Sequence, residues 1–511
     1  NVSYFFQFEN LSSRTQTQRG AILLKSTYDY SQMVLKGTLP QETIGNNQTT
    51  PLCSASFRYM FNASRIPTSK QDAYRVYNMH PTHQHAALVV NGHYFTIDLV
   101  NTDTNQPYTI AALESAIQDC ILSSTNSSVA LQLGVLTAAN RDDWSSNSAQ
   151  LRKMDQMEAA IEKLQSALIL ICLDDKPDYS YSQRAKQYLC GIDNRWYDKS
   201  LQFILTKNGN MGLNGEHSMM DGMPVIGLAN YVLQQEKMTP LEAHRQSLNG
   251  PKPRVENIFY DVIQQLSTQQ QTAIQKMVEH ARVDFQKRTD SLDLQCLSFC
   301  GYGSDWIKSK AACSPDAFVQ MAIQLAVAKH FADMPQATYE STQVRPFLYG
   351  RTETTRSVSP QSLAWTQAMT DPDLPDHKKL ELLRTAADAH VTYIRNAAKG
   401  QGVDRHCFGL GMVASEIGAP IPDLLKDPLF LRAKRWVIST STVPANPGFG
   451  PVVSDGLGIA YDIQYGKIYF TVTAYKQCHN AETVTHYLEE ALLEMKELAE
   501  GKSEESSRSK L

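Results

Sequence analysis

The chain has 511 residues, of which 42% are apolar and 20% charged, and its formal net charge is −4. This composition is typical of a globular protein long enough for two large domains. It excludes a strong overall positive field for nucleic acid or anionic membranes, so any anionic ligand must be bound by a local cluster.

The first half of the chain alternates strand and helix patterns. Two β-rich segments flank Asn91-Gly92, a dipeptide typical of a tight hairpin turn. Apolar residues spaced by three and four predict one amphipathic helix over 147–170, which leads into the apolar strand-like run Ala167–Leu173. A helix followed by a buried strand indicates an α/β layer.

A histidine follows the next pair of predicted strands. Leu201–Thr206 has a strand pattern, Asn208-Gly209 a turn pattern, and His217 stands four residues before Asp221. Imidazole has a pKa near working pH, so His217 at a turn after a strand is a candidate general base. The alternative left open by the spacing alone is an ordinary loop histidine beside a turn aspartate.

Around residues 246–255 the chain becomes rich in Pro, Gly, Asn and Lys, which predicts a linker and a domain boundary at 250. A long helical stretch is predicted over 257–290. Residues 301–310 are interpreted as a flexible loop that carries Lys308 and Lys310 toward a helix beginning at Ser314. Ammonium groups near a helix N-terminus can bind phosphate, although two solvated surface lysines are the alternative.

The C-terminal part has a predicted strand at Arg435–Ile438 that ends in the hydroxyl cluster Ser439–Thr442. Hydroxyls at a strand end can stabilise an oxyanion, but they are also common in ordinary strands. A hairpin from Gly458 to Tyr475 and a final amphipathic helix follow. Nine scattered cysteines without a CxxC pair indicate reduced thiols in an intracellular compartment.

The chain ends in Ser509, Lys510 and Leu511 after a polar segment. This tripeptide is the address that a peroxisomal import receptor reads, so we predict the peroxisomal matrix, with a second mitochondrial pool left open.

Ordered sequence blocks identify a family resemblance. The blocks are Pro51-Leu-Cys, Asn194-Arg-Trp, Glu216-His-Ser, Ser314-Pro-Asp-Ala-Phe, Ala337-Thr-Tyr-Glu-Ser, Gly350-Arg-Thr-Glu-Thr, Asp404-Arg-His, Ser439-Thr-Ser and Gly450-Pro-Val-Val-Ser-Asp-Gly. Together they resemble the choline/carnitine acyltransferases, most of all the peroxisomal, fungal-type carnitine O-acetyltransferases. The resemblance implies an α/β fold with two domains, each a mixed sheet with flanking helices of the chloramphenicol acetyltransferase-like type. We place them at 1–250 and 251–500, with a flexible tail at 501–511.

The resemblance also implies a reaction, the reversible transfer of a short acyl group between coenzyme A and the hydroxyl of L-carnitine in fatty acid metabolism. His217 matches the family's general base, and Ser441 matches the hydroxyl that stabilises the oxyanion. Asp221 matches a residue that supports the turn structurally. No metal and no tightly bound cofactor are implied, since coenzyme A or acetyl-CoA is a substrate.

Further matches concern the two substrates. Tyr339, Thr352 and Arg405 match contacts to the carnitine carboxylate, which choline lacks. Phe449 matches the aromatic ring beside the quaternary ammonium.

Lys308 and Asp316 match coenzyme A contacts. Ser304 replaces the first lysine of the family's usual phosphate-binding pair, and Lys310 is the candidate that compensates.

Two alternatives to this hypothesis stay open. The loop with Pro447, Gly448 and Phe449 lacks the bulky methionine of acetyl-specific animal members, so a medium- or long-chain carnitine acyltransferase is the second hypothesis. An inactive protein that binds coenzyme A and carnitine is the third. Family members carry about a hundred further residues before the position of Asn1, so we expect the chain to be N-terminally incomplete.

Overall fold

The computed structural model describes residues 3–8, 14–45, 49–77, 84–126, 131–175, 180–244, 251–332 and 334–501. The chain forms two compact units, Asn1–Asp290 and Ser291–Leu511. The candidate targeting residues Ser509, Lys510 and Leu511 lie outside the described residues.

The first unit alternates strands and helices. Its strands are β1 Ser3–Phe8, β2 Thr43–Ile44, β3 Thr50–Pro51, β4 Ala63–Ile66, β5 Ala73–Val76, β6 His85–Val90, β7 His93–Asp98, β8 Val100–Asn101, β9 Gln106–Pro107, β10 Leu170–Asp174, β11 Leu201–Thr206, β12 Met211–Glu216 and β13 Val255–Asn257. Its helices are α1 Gln16–Lys36, α2 Ile110–Asn126, α3 Arg141–Leu151, α4 Met157–Ser166, α5 Tyr181–Cys190, α6 Gly222–Met238, α7 Tyr260–Gln265 and α8 Thr268–Ser291.

The main sheet of this unit is mixed. Its strands follow the order β13-β7-β6-β10-β11-β12-β1, and β10 is parallel to both β6 and β11. Every residue of β6, β11 and β12 is buried, as expected for strands covered by helices on both faces. The hairpin at Asn91-Gly92 is confirmed, because both residues have the positive φ angles, 51° and 76°, that a type I′ turn requires.

Two predicted long helices are each divided in the structure. The helix predicted over 147–170 is wrong as a single element, because α3 ends at Leu151 and α4 begins at Met157, after Gln156 with a φ of 60°. The stretch 257–290 divides into α7 and α8, because Leu266 is extended and turns into the core. The Gln271 side chain donates to the carbonyls of Ile263 and Leu266, both at 3.0 Å, and thereby stabilises the break.

The boundary between the units differs from the predicted linker. Residues 245–250 lie outside the described part, and the compact units divide after Asp290 instead of at 250. The reason is long-range pairing: β13 joins the edge of the first sheet beside β7, so the segment after 250 belongs to the first unit.

The second unit contains a six-stranded sheet, the further short strand β18 and several helices. Its strands are β14 Leu292–Phe299, β15 Thr338–Gln343, β16 Thr352–Thr355, β17 Ile438–Thr442, β18 Gly448–Phe449, β19 Leu457–Ile463 and β20 Ile468–Tyr475. Its helices are α9 Ser304–Trp306, α10 Pro315–His330, α11 Pro360–Thr370, α12 Asp376–Ala398, α13 Asp404–Glu416, α14 Pro428–Ala433 and α15 Ala481–Glu500.

The six strands follow the order β14-β20-β19-β17-β15-β16, with β17 parallel to both of its neighbours. Helices α10 and α15 bury their apolar faces against strands of this sheet in one core. In α15 the buried positions Val484, Leu488, Leu492 and Met495 are those that the spacing predicts. Both units therefore have a mixed sheet with flanking helices, which confirms the predicted α/β class.

Residues 301–310 are not the predicted flexible loop. From Ser304 they form α9 and then one π-helical turn, Ile307–Ala311, because Ile307 and Ala311 are buried in the core of the second unit. Among the described residues no single helix is long and apolar enough to cross a bilayer. In the same part of the chain, only the bent helix pair Ser304–Ala311 and Pro315–His330, taken together, has the length and apolar composition of a membrane span.

Candidate active site

His217 occupies the turn between β12, which ends at Glu216, and α6, which begins at Gly222. Its Nδ1 lies 2.8 Å from the carbonyl oxygen of Met220. A carbonyl only accepts hydrogen bonds, so Nδ1 must carry the proton that it donates. In the neutral imidazole Nε2 is then the basic nitrogen, and the side chain is 36% exposed, so a reactant can approach it.

An aromatic contact orients the imidazole further. The Tyr4 ring on β1 meets the His217 ring edge-on at a centroid distance of 4.8 Å. Tyr4 can lie there because residue 215 is glycine: a Cβ at Gly215 would stand 2.5 Å from the Tyr4 ring. A carbonyl and a packed ring thus orient the His217 imidazole, and sequence reasoning did not identify Tyr4.

The residue before the histidine anchors the same turn. The buried Glu216 carboxylate accepts from the backbone N–H of Ser218 at 3.2 Å and also from its hydroxyl. Arg65 lies 3.5 Å from the same carboxylate. Burial raises the pKa of Glu216, while the Ser218 hydrogen bonds and the Arg65 charge oppose that shift.

Asp221 does not have the geometry of a catalytic-triad carboxylate. Its Oδ1 lies 3.8 Å from His217 Nδ1, beyond hydrogen-bond distance, whereas the Met220 carbonyl holds that nitrogen at 2.8 Å. A carboxylate at 3.8 Å still favours an imidazolium electrostatically. A supporting role for Asp221 stays a prediction.

Ser441 lies in the second unit, within β17. The strand ends in the hydroxyl cluster Ser439–Thr442, as predicted, but it begins at Ile438 and not at Arg435. It pairs with β15 on one side and with β19 on the other. The Ser441 and Ser341 hydroxyl oxygens are 3.0 Å apart. Ser341 is a contact that sequence reasoning did not assign, although it lies in one of the quoted blocks.

Two of the predicted carboxylate contacts lie together. The exposed Arg405, on α13, donates from Nε to the Thr352 carbonyl at 2.9 Å and from a terminal nitrogen to the Thr352 hydroxyl at 3.4 Å. Tyr339 lies on β15 with its ring 5.8 Å from that of Trp436. Phe449 is half-buried on β18.

The predicted coenzyme A contacts lie at one end of α10. Lys308 and Lys310 are exposed on the π-helical turn, so their ammonium groups face solvent. Pro315 begins α10 as predicted, and Ser314 precedes it without the predicted side-chain cap hydrogen bond. Asp316, in the first turn, accepts from the Tyr461 hydroxyl at 2.7 Å.

Asp316 belongs to a buried cluster that sequence reasoning missed. His390 Nε2 lies 2.6 Å from a Glu340 carboxylate oxygen, and ligand atoms of Asp316, Glu340 and His390 all lie within 4.8 Å of one another. Burial first, and then the Glu340 charge, raise the pKa of Asp316 to about 7. Burial alone would lower the pKa of His390, but the hydrogen bond and charge of Glu340 outweigh it and raise the pKa.

These three side chains are of types that bind divalent metals. Their observed contacts are those of a hydrogen-bonded acid–base cluster, in which a carboxyl proton relieves the repulsion between two carboxylates. Glu340 is in a quoted block, but Asp316 and His390 lie far from it in the chain, so only the fold brings the three together.

Comparison with known proteins defines the class. The family model described as Choline/Carnitine o-acyltransferase matches residues 1–492. The chain therefore belongs to the choline/carnitine O-acyltransferase family and is an acyltransferase.

Individual relatives support this assignment. Carnitine O-acetyltransferase of Rattus norvegicus is 33% identical over 503 residues, which cover 94% of this chain and 77% of the relative. The mitochondrial carnitine O-acetyltransferase of Saccharomyces cerevisiae is 31% identical, covering 90% and 69%. Choline O-acetyltransferase of Sus scrofa is 29% identical, covering 94% and 77%.

Proposed function

We propose that the protein catalyses the reversible transfer of an acetyl or other short acyl group between coenzyme A and the hydroxyl of L-carnitine. The observation that carries the proposal is the state of His217. Its Nδ1 lies 2.8 Å from the Met220 carbonyl oxygen and must carry the proton, so Nε2 is the basic nitrogen of the neutral ring.

In the forward direction His217 Nε2 takes the proton of the carnitine hydroxyl while the oxygen attacks the thioester carbonyl. The C–O bond forms and the carbonyl π electrons move onto oxygen, which gives a tetrahedral oxyanion. The intermediate collapses, the C–S bond breaks, and the imidazolium returns its proton to the coenzyme A sulfur. The acyl group passes directly from sulfur to oxygen, so no covalent acyl-enzyme forms, and the reverse reaction uses the same groups.

In this scheme the Ser441 hydroxyl donates a hydrogen bond to the oxyanion. The neighbouring Ser341 hydroxyl, 3.0 Å away, can donate to Ser441 Oγ and leave the Ser441 proton directed outward. Preorganised donors of this kind are more effective in the transition state than in the ground state.

Arg405 is proposed to bind the carnitine carboxylate, with Thr352 and Tyr339 as further contacts and Phe449 beside the trimethylammonium group. The fork shape of a guanidinium matches two carboxylate oxygens, and choline offers no such group. This supports carnitine over choline, although the family contains enzymes named for both. Lys308 and Lys310 are proposed for the 3′-phosphate of coenzyme A, and Asp316 for its adenosine and pantetheine part.

The test is thiol release from acetyl-CoA in the presence of L-carnitine. We expect His217→Ala to lower turnover by roughly 10²–10⁴-fold, the usual contribution of a general base. His280→Ala removes an exposed histidine of the same unit and should leave turnover unchanged. Equal turnover of His217→Ala and the wild type would contradict the proposal.

Acyl length is tested by comparing acetyl-, octanoyl- and palmitoyl-CoA. A preference for acetyl-CoA supports the proposal, and a preference for octanoyl- or palmitoyl-CoA favours the medium- or long-chain alternative. If calorimetry detects coenzyme A binding but no acyl-CoA is turned over, the chain is an inactive binding protein.

We also propose a peroxisomal location through Ser509, Lys510 and Leu511. The Saccharomyces relative is named mitochondrial, so the two locations need a direct test. A tagged chain should reach peroxisomes, and deletion of Leu511 should leave it in the cytosol. Unchanged import would contradict the assignment.

A further inference from the structure

Glu353 is a buried carboxylate that the reaction scheme does not use. It lies in β16 beside Thr352 and is only 5% exposed. One carboxylate oxygen accepts from its neighbour's backbone, Thr354 N–H, at 2.6 Å. Both oxygens also face the backbone N–H of Arg405, at 3.2 and 3.3 Å.

This contact replaces a missing helix cap. Arg405 is the second residue of α13, and the N–H groups of the first helical turn have no partner inside the helix. Val403 stands at the N-cap position, where its apolar side chain cannot accept a hydrogen bond. Glu353 supplies the acceptor from another strand, and its negative charge suits the positive end of the helix dipole.

The close approach requires a glycine before the helix. A Cβ built on Gly402 would lie 2.3 Å from Glu353 Cγ and 2.6 Å from its Cδ. Any larger residue would push the carboxylate away from the start of α13. The absence of a side chain at Gly402 therefore allows Glu353 to reach the start of α13.

Neighbouring residues of β16 therefore hold Arg405 at two points. Glu353 holds its backbone, and Thr352 accepts two of the five guanidinium N–H donors. Three donors remain for another partner. We propose that Glu353 is a positioning residue that fixes the Arg405 guanidinium for the carboxylate of carnitine, an inference that rests on the proposed function.

A second tether should keep the fold intact when Glu353 is changed. Arg356 pairs with Asp404 at 2.7 Å, and its guanidinium packs over the Trp436 ring. This pair holds the start of α13 through Asp404, not through Arg405. Loss of Glu353 should thus loosen Arg405 without unfolding the helix.

The experiment measures KM for L-carnitine and for acetyl-CoA in Glu353→Ala and Glu353→Gln. We expect Glu353→Ala to raise the carnitine KM about tenfold, the scale of one hydrogen bond to a charged group, and to leave the acetyl-CoA KM within about twofold. Glu353→Gln retains one oxygen acceptor and should recover part of the loss. Asn480→Ala removes the side-chain cap of α15 and should change neither KM.

A merely structural role would not separate the two substrates. An unchanged carnitine KM in Glu353→Ala, or an equal rise in both KM values, overturns the positioning role. If the wild type shows no transfer, the proposed function fails, and calorimetric Kd values for L-carnitine then decide the inference. Weaker binding by Glu353→Ala supports it, whereas equal binding, or no binding by the wild type, overturns it.

Discussion

The His217 turn and the Arg405 region hold their functional groups in different ways. In the first unit a backbone carbonyl binds His217 Nδ1 and the Tyr4 ring packs against the imidazole. In the second unit Arg405 is exposed and is held from one side by Thr352 and Glu353. The His217 imidazole is thus held by two contacts, whereas the Arg405 guanidinium keeps donors for a ligand. We therefore expect changes near His217 to alter turnover and changes near Arg405 to alter substrate affinity.

Ser441→Ala should give the largest effect in the second unit and sharpen this contrast. Loss of an oxyanion donor lowers kcat by about 10²–10³-fold, because that hydrogen bond is strongest in the transition state. Ser341→Ala removes only the neighbouring hydroxyl and should cost less than about tenfold, the scale of one neutral hydrogen bond. Steady-state kinetics give kcat for both variants. An equal fall in kcat for Ser441→Ala and Ser341→Ala would contradict separate roles for the two hydroxyls.

Arg405→Ala tests the affinity side of the contrast. We expect the carnitine KM to rise by about 10–100-fold, the scale of hydrogen bonds between charged groups, with little change in the acetyl-CoA KM. Arg405→Lys keeps the charge but not the fork and should lie between wild type and Arg405→Ala. Arg395→Ala, an exposed arginine on α12, serves as the matched control. A fall in kcat without a change in the carnitine KM would contradict the expectation that Arg405 determines substrate affinity and not turnover.

Asp221→Asn should have a small effect, because the Met220 carbonyl and not Asp221 binds His217 Nδ1. We expect kcat to fall less than about tenfold, whereas the corresponding change in a serine protease triad costs about 10⁴-fold. Rates with and without the substitution, measured between pH 6 and 9, provide the test. A loss near that of His217→Ala would show that Asp221 is the true partner of the imidazole.

Local signals predicted the turns and strand ends well. The hairpin at Asn91-Gly92 and the strand pair before His217 depend on residues adjacent in the chain, so composition and period are sufficient. The division between α3 and α4 is different. Apolar residues on both sides of Gln156 keep a helical spacing, and only the left-handed backbone at Gln156 reveals the break.

Contacts between distant segments could not be read from sequence. Glu353 caps α13 from a neighbouring strand, and no periodicity connects a strand residue with a helix start fifty residues later. Likewise, the sequence pattern could not show that β13 pairs with β7 at the edge of the first sheet. The first unit therefore extends to Asp290 and does not end at the predicted boundary, residue 250. The sequence motifs that carry the family resemblance include both Glu340 and Glu353. A motif does not show, however, which residue its side chains contact in the folded protein.

The two units also differ in how their buried ionisable groups make stability depend on pH. In the first unit, Lys199 is fully buried and its ammonium group donates to the carbonyls of Ala63, Gln165 and Ala167. Burial lowers the pKa of Lys199 to about 7 from 10.5. The unfolded chain then binds more protons between these values, so the Lys199 contribution to stability rises as pH increases from about 7 to 10.5.

The pH effect of Asp316 has the opposite sign. Its pKa is raised from 3.8 to about 7, so the folded state binds the extra proton between these values. The free energy of unfolding should therefore fall as pH rises through this interval, by roughly 1–4 kcal/mol at 1.36 kcal/mol per pKa unit. His390, with a pKa raised from 6.5, continues the fall above that value.

Asp316→Asn isolates this effect, because the amide keeps the oxygen that accepts from Tyr461 and cannot ionise. Urea unfolding at pH 5 and pH 7.5 should show a smaller loss of stability in the variant than in the wild type. Asp423→Asn, at a fully exposed aspartate, should retain the wild-type difference. If Asp316→Asn also retained it, Asp316 would be ionised across the whole interval. The pH dependence would then have to come from His390, whose pKa the Glu340 carboxylate raises.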